Sequence, residues 1–291
     1  MSIAPITSTT DSTQAQALGE QLLKAMTGRG TSDEEECIRL VQAGADLNMR
    51  DSQGLTALHW AAEHGHSKLT KILLDHHADV DATQTDTANT PLMFAAQSAH
   101  NSVMKILLRH GADVHLLNDD GKSALLFAAG NSSCEKTIRL LLAAGANAGI
   151  QDKHSNSVLH GLGEKKNHAR LFDCLIRKGA NIDAQGPNGC TILYYAAMFG
   201  EDEKVAFLLA RGASTQVRAH LGRTAEEVAR TNSHIKAADL IREHDEAPLR
   251  RKLAEETAAR EAFNQEVSGG IPLKSAIKPC PGVQFRKKPC P

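Results

Sequence analysis

Residues 51–82 read DSQGLTALHWAAEHGHSKLTKILLDHHADVDA, and most of the chain is a variation on that stretch. Its Leu58 returns as Leu92, Leu125, Leu159 and Leu193, at spacings of 34, 33, 34 and 34 residues. A second marker, Gly44-Ala45-Asp46, returns as His77-Ala78-Asp79, Gly111-Ala112-Asp113, Gly145-Ala146-Asn147, Gly179-Ala180-Asn181 and Gly212-Ala213-Ser214, spaced 33, 34, 34, 34 and 33. Two markers that stay in phase define an internal repeat. A repeat of this length is one small unit that buries its apolar face by stacking on its neighbours.

Local chemistry predicts two helices per unit. Thr56, Thr90 and Thr191 can cap a helix with a hydroxyl, and Pro91 sits where its missing N–H costs nothing. The pairs Ala61-Ala62, Ala95-Ala96, Ala128-Ala129 and Ala196-Ala197 give that first helix a narrow side, and Gly65 or Gly200 ends it. Leu69, Ile72, Leu73 and Leu74, matched by Val103, Ile106, Leu107 and Leu108, then recur at helical spacing. An extended run such as Asp79-Val80-Asp81-Ala82 and a turn such as Asp119-Asp120-Gly121 complete the unit as a hairpin-like finger.

With these residues in place, the chain resembles the ankyrin repeats in its T-P-L-H-x-A-A-x-x-G-H, L-L and G-A-D-V-N signatures and in their period. The resemblance implies an all-α-dominated helical solenoid with fingers along one edge, a curved stack of about seven units counting the caps. It also implies a concave face that binds other proteins. The expected boundaries are a disordered segment over 1–14 and a repeat domain over 15–246, with units at about 15–50, 51–84, 85–117, 118–151, 152–185, 186–218 and 219–246. A charged Ala/Glu/Arg-rich helix over 247–267 and a basic, Pro-rich disordered tail over 268–291 follow. Two departures stand out: His77 takes the place of a Gly that would adopt positive φ, and the finger over 83–90 has one extra residue. In the fifth unit, Gly161 and Leu162-Gly163 weaken the first helix.

Composition narrows the function. The 291 residues carry a net charge of −1, but the tail holds Lys274, Lys278, Arg286, Lys287 and Lys288 with no acid, leaving the rest at −6, so no basic field for nucleic acid covers the repeats. No apolar run is long enough to span a membrane, and the first residues lack the pattern of a signal peptide. The six cysteines are scattered over different units rather than spaced as a disulfide framework, which fits a reducing interior. The expectation is a monomeric protein of the cytoplasm, with the nucleus as the alternative.

No catalytic residues, metal site or cofactor are expected. The densest histidine set, His59, His64, His66, His76 and His77, includes two that belong to the repeat signature, and no Cys-x2-Cys pair supports zinc. Cys134 and Cys190 have no base at a defined spacing. Binding is the better use of the variable positions, which are the fingertips and the exposed end of each first helix. The candidate contacts there are Leu55, His64, Asp119, Asp120, Lys122, Lys153, His154, Lys165, Tyr195, Met198, Phe199, His220, Leu221 and Arg223. The centre is expected over 165–223, because Met198, Phe199 and Leu221 are apolar where polar residues are usual, and large apolar anchors carry interface energy. Core placement of Phe199 and Tyr195 is the alternative. In the tail, Ser275, Ile277 and Lys278 followed by Val283 and Phe285 resemble the S-I-L-K and R-V-x-F docking pair of protein phosphatase 1 regulators, although Gly282 stands where that pattern has a basic residue. The expected partner is therefore another protein, with protein phosphatase 1 as the alternative reading.

Overall fold

A computed structural model describes residues 9–27, 34–131, 134–163 and 169–268. They divide into two units, one ending at Ile241 and the other starting at Arg242. The first is a series of helix pairs: α1 (Thr9–Thr27) with α2 (Glu34–Gln42), α3 (Ala57–His64) with α4 (Ser67–Asp75), α5 (Pro91–Gln97) with α6 (Asn101–Arg109), and α7 (Ala124–Gly130) with α8 (Cys134–Ala143). It continues with α9 (Val158–Gly163) and α10 (Ala169–Arg177), then α11 (Ile192–Met198) and α12 (Asp202–Leu209), then α13 (Ala225–Thr231) and the start of α14 (Ile235–Ser268). Among the described helices, substantial contacts run only within a pair or between adjacent pairs, which is the packing of a solenoid.

The cap chemistry is visible in four of the pairs. Thr90, Ser123, Thr191 and Thr224 hold extended backbone, and their hydroxyls accept hydrogen bonds from the amides of Met93, Leu126, Tyr194 and Glu227 at 3.4, 3.4, 3.2 and 3.3 Å. Behind them the recurring Leu58, Leu92, Leu125, Leu159 and Leu193 are all buried, as are the alanine pairs, so consecutive first helices approach closely. His59 and His160 tie one unit to the next. The His59 Nδ1 accepts from the Thr56 amide at 3.1 Å while its Nε2 donates to the Asn89 carbonyl at 3.0 Å. In the same way His160 Nδ1 accepts from the Ser157 amide at 3.3 Å and Nε2 donates to the Cys190 carbonyl at 3.1 Å.

The fingers are closed by turns, and no strand forms among the described residues beyond one isolated bridge between Gln151 and Ser157. The amides of Asp51, Asn118, Asp152, Gly186 and Ala219 donate to carbonyls four residues on, at Leu55, Lys122, Asn156, Cys190 and Arg223. In three of these fingers the leading Asp or Asn side chain adds bonds to the amides two and four residues ahead, as Asp152 Oδ1 does with His154 and Asn156 at 2.9 and 2.8 Å. The third unit's finger absorbs its extra residue by closing from Gln84 to Asn89, five residues on, with Ala88 at φ +56°.

His77 adopts φ +66°, the left-handed conformation its glycine counterparts take at +89° and +88° in Gly44 and Gly111. Its side chain is exposed, so nothing offsets the crowding of its Cβ. His77→Gly is expected to raise the unfolding free energy by about 1 kcal/mol in urea titration; a decrease would show that the imidazole holds a stabilising contact.

The structure changes two terminal boundaries. Residues 9–14, expected as disordered, belong to α1, whose carbonyl at Ala15 accepts from the Asp46 amide at 2.9 Å. At the other end, Pro248 does not separate a cap from a following helix: α14 runs through it. Alanine, glutamate and arginine dominate both sides, and Glu246 pairs with Arg242 at 3.9 Å and Arg250 at 2.7 Å across the proline, so helix-forming side chains outweigh one missing backbone bond. Ala237, Ala238 and Ile241 in the first turns are buried, whereas Leu249 and Leu253 beyond them are exposed. No described helix is long and apolar enough to cross a membrane. Of the tail expected over 268–291, Ser268 is the last residue of α14 and 269–291 lie outside the described residues.

Candidate functional site

One register of the repeat decides the character of the face made by the first helices. Val228 stands four residues after Thr224, but four residues after Thr56, Thr90, Ser123, Ser157 and Thr191 stand Trp60, Phe94, Phe127, Gly161 and Tyr195. Four are aromatic and partly buried against the core, with one edge left to solvent, and the Trp60 indole is fixed by donating to Asp51 Oδ2 at 2.8 Å. Gly161 breaks the row. A Cβ there would lie 2.9 Å from the Ala129 Cβ, so α9 sits tight against α7 with no side chain above it.

The missing aromatic leaves a groove of about 830 Å³ between Phe127 and Tyr195. Leu126 and Ile192 add apolar surface, Phe199 stands at the rim, and Asn156, Ser157 and His160 supply polar atoms. Tyr195 is held in place: its ring meets His160 edge-on with centroids 6.2 Å apart, and its hydroxyl donates to the Pro187 carbonyl at 3.4 Å. Phe199 is 61% exposed, a large apolar side chain presented to solvent.

In the groove the Ser157 hydroxyl lies 2.7 Å from His160 Nδ1, the same local contact that the Thr56 hydroxyl makes with His59 Nδ1 at 2.9 Å. Burial lowers the pKa of His160, and its two ring nitrogens are both committed. Burial raises the Cys190 thiol, whose Sγ faces the Asn188 carbonyl at 3.8 Å. His59 is fully buried, and that burial lowers its pKa to about 4. His64 Nδ1 donates to the Trp60 carbonyl of its own helix at 3.0 Å, and no group of three metal-ligating side chains occurs among the described residues.

The structure distributes the sequence-derived candidates unevenly. Lys122, Tyr195 and Phe199 converge on the groove. Lys153, His154 and His220 line a separate cleft between fingertips. His64, Asp119, Asp120, Leu221 and Arg223 are exposed on the same row of fingers and first helices, and Met198 is half-buried with its carbonyl accepting from Asn232 Nδ2 at 3.0 Å. Leu55 is corrected: it is only 3% exposed, because its amide bonds Asp51 Oδ1 and turns the side chain under the finger, where no partner can reach it. Lys165 and the tail residues Ser275, Ile277, Lys278, Val283 and Phe285 lie outside the described residues. Sequence reasoning missed Leu126, Phe127, His160 and Gly161 as groove residues. The aromatic register broken at Gly161 was the signal that could have found them.

Comparisons with known proteins agree with this geometry. A family model described as "Ankyrin repeats (3 copies)" matches residues 22–118, 81–152 and 159–252. Among solved structures, the chain is similar to the ankyrin repeat domain of Bcl-3, a member of the IkappaB protein family, with a TM-score of 0.63 and 26% identity over 76% of this chain and 96% of that one. Among curated proteins, it is 42% identical over 45 residues to Acyl-CoA-binding domain-containing protein 2 of Arabidopsis thaliana; the match spans 16% of this chain and 13% of that protein.

Proposed function

This chain belongs to the ankyrin repeat family, and we propose that it is a non-catalytic scaffold or adaptor that binds a partner protein across its first helices and fingers. The observation that carries this reading is the groove between Phe127 and Tyr195 with Phe199 exposed at its edge. A soluble surface exposes a phenylalanine beside an apolar floor at a cost, and such anchors dominate interface energetics when covered. The contact centre lies over the fourth to sixth units, one unit earlier than the sequence placed it.

The test is site-specific photocrosslinking in cell extract. A benzoylphenylalanine at position 199 is expected to form discrete protein adducts that are absent when the probe replaces Arg139, which is exposed on α8. Phe199→Ala is expected to weaken capture of the same adduct protein by about tenfold or more while changing stability by less than about 0.5 kcal/mol. Equal adducts at both positions would remove the reading. Capture that survives Phe199→Ala but depends on Val283 and Phe285 would move the function to the tail and favour a phosphatase-targeting subunit.

A further inference from the structure

Main-chain bonds join three neighbouring pairs of fingers: the third to the fourth, the fourth to the fifth and the sixth to the seventh. The Asp119 amide donates to the Thr87 carbonyl at 3.0 Å, Lys153 to Asp120 at 2.9 Å, and His220 to Asn188 at 2.9 Å. Between the fifth and sixth fingers no tip-to-tip main-chain bond forms among the described residues. There side chains reach across instead, Gln151 Nε2 donating to the Gln185 carbonyl at 2.9 Å and His160 Nε2 to the Cys190 carbonyl at 3.1 Å, much as Gln84 Nε2 donates to the Gln53 carbonyl at 3.1 Å between the second and third fingers. The fifth and sixth fingers flank a cleft of about 780 Å³. Pro187 borders both this cleft and the apolar groove, so the two are neighbouring parts of one surface.

Charge along the fingers changes sign between the fourth and the fifth. The third and fourth fingers expose Asp86, Asp119 and Asp120. The fifth and seventh expose Lys153, His154, His220 and Arg223. Neither Lys153 nor Arg223 has an ion-pair partner within 4.0 Å among the described residues, whereas Lys122 beside the groove is paired with Asp120 at 3.6 Å. One acid lines the cleft, Asp183, and its Oδ1 already accepts from the Ser214 amide at 2.8 Å. The surface thus places an apolar seat beside a slot lined by Lys153, His154 and His220, with Arg223 exposed on the seventh finger, and it presents acids on the third and fourth fingers.

We propose that this surface binds an acidic peptide segment of a partner protein, with one large apolar side chain seated over Gly161 between Phe127 and Tyr195 and the following carboxylates lying against Lys153, His220 and Arg223. This deepens the proposed function and rests on it. The sign reversal sets the direction of the segment, because carboxylates placed towards Asp119 and Asp120 would be repelled. The chain's own tail, at +5 with no acid, has the wrong sign to fill the slot. A nucleic acid, charged uniformly along its length, would meet the acidic third and fourth fingers as well.

A random dodecapeptide library displayed on phage, selected on the full chain, tests this. The enriched peptides are expected to be net acidic with an apolar residue preceding the acids. In fluorescence anisotropy, the Lys153→Glu, Arg223→Glu double variant is expected to weaken them by about tenfold or more, an effect that shrinks as salt rises. Phe199→Ala should weaken them comparably, and a single-stranded oligonucleotide should not compete. Selection of neutral or basic peptides, competition by the oligonucleotide, or indifference to the charge reversal would overturn the acidic-peptide assignment. If Phe199→Ala still weakens binding in those cases, the proposed function stands without it. If selection yields no peptide sensitive to Phe199→Ala or to the charge reversal, both fall together.

Discussion

Leu125→Ala is expected to lower the unfolding free energy by about 2–5 kcal/mol, the loss measured for emptying a fully buried leucine site. Leu125 is completely buried in α7, whose helix packs against α5 on one side and α9 on the other. The short, well-capped helices around it have little freedom to collapse into the vacated space, so the upper part of that range is favoured. The site is also in the middle of the stack. In a solenoid stability is close to a sum of unit terms and nearest-neighbour terms, and a defect at the centre weakens two interfaces at once. The measurement is urea denaturation followed by circular dichroism, with Leu253→Ala as the comparison. Leu253 is 63% exposed, and its removal should change stability by less than about 0.5 kcal/mol. A Leu125→Ala loss below about 1 kcal/mol would mean that the unit interfaces are far looser than the burial implies.

The second large effect is expected from acid. His59 is buried, its Nδ1 already accepts an amide proton, and burial holds its pKa at about 4 against an ordinary value of 6.5. Protonation would set a new N–H against the Thr56 N–H inside the core. Above pH 6.5 the ring is neutral in both folded and unfolded chains, so it adds no pH dependence there. Below 6.5 the unfolded chain takes up the proton and the folded one does not, and stability falls until the folded pKa is reached. At about 1.4 kcal/mol per pH unit, the loss between pH 7 and pH 5 is about 2 kcal/mol, and by pH 4 it approaches about 3 kcal/mol. His160 is shifted in the same direction by the same cause and steepens the fall. Stability measured at intervals across this range should therefore drop before most carboxylates titrate. His59→Gln, which keeps an acceptor and a donor but cannot be protonated, should flatten much of the slope even though it lowers stability at pH 7. An unchanged slope in that variant would show that the pH dependence comes from elsewhere.

Much of the architecture was readable in the residues because each marker acts locally. A threonine that caps, a glycine that ends a helix and an alanine pair that narrows one side each state their role within a few positions, and the constant period then stacks them. The groove was less readable because it is made by an absence. Gly161 was visible as a weak helix former, but that it opens a space between Phe127 and Tyr195 depends on which residues stand side by side two units apart. The same dependence on neighbours explains Leu55. Its position on a finger suggested exposure, and only the hydrogen bond from its amide to Asp51 shows the side chain turned inward. Pro248 was read as a boundary from its own chemistry, and the helix-forming residues on both sides of it prevailed.

Beyond its role in packing, the carbonyl-to-side-chain stitching of one unit to the next constrains how this chain can change over generations. His100 reaches the Glu63 carbonyl, Asn131 that of Gln97, and Asn232 that of Met198, so each unit docks on its predecessor's main chain, whose chemistry no substitution alters. Lineages can therefore rewrite the outward letters of one unit, acquiring or discarding a client, while the adjoining units keep their seams.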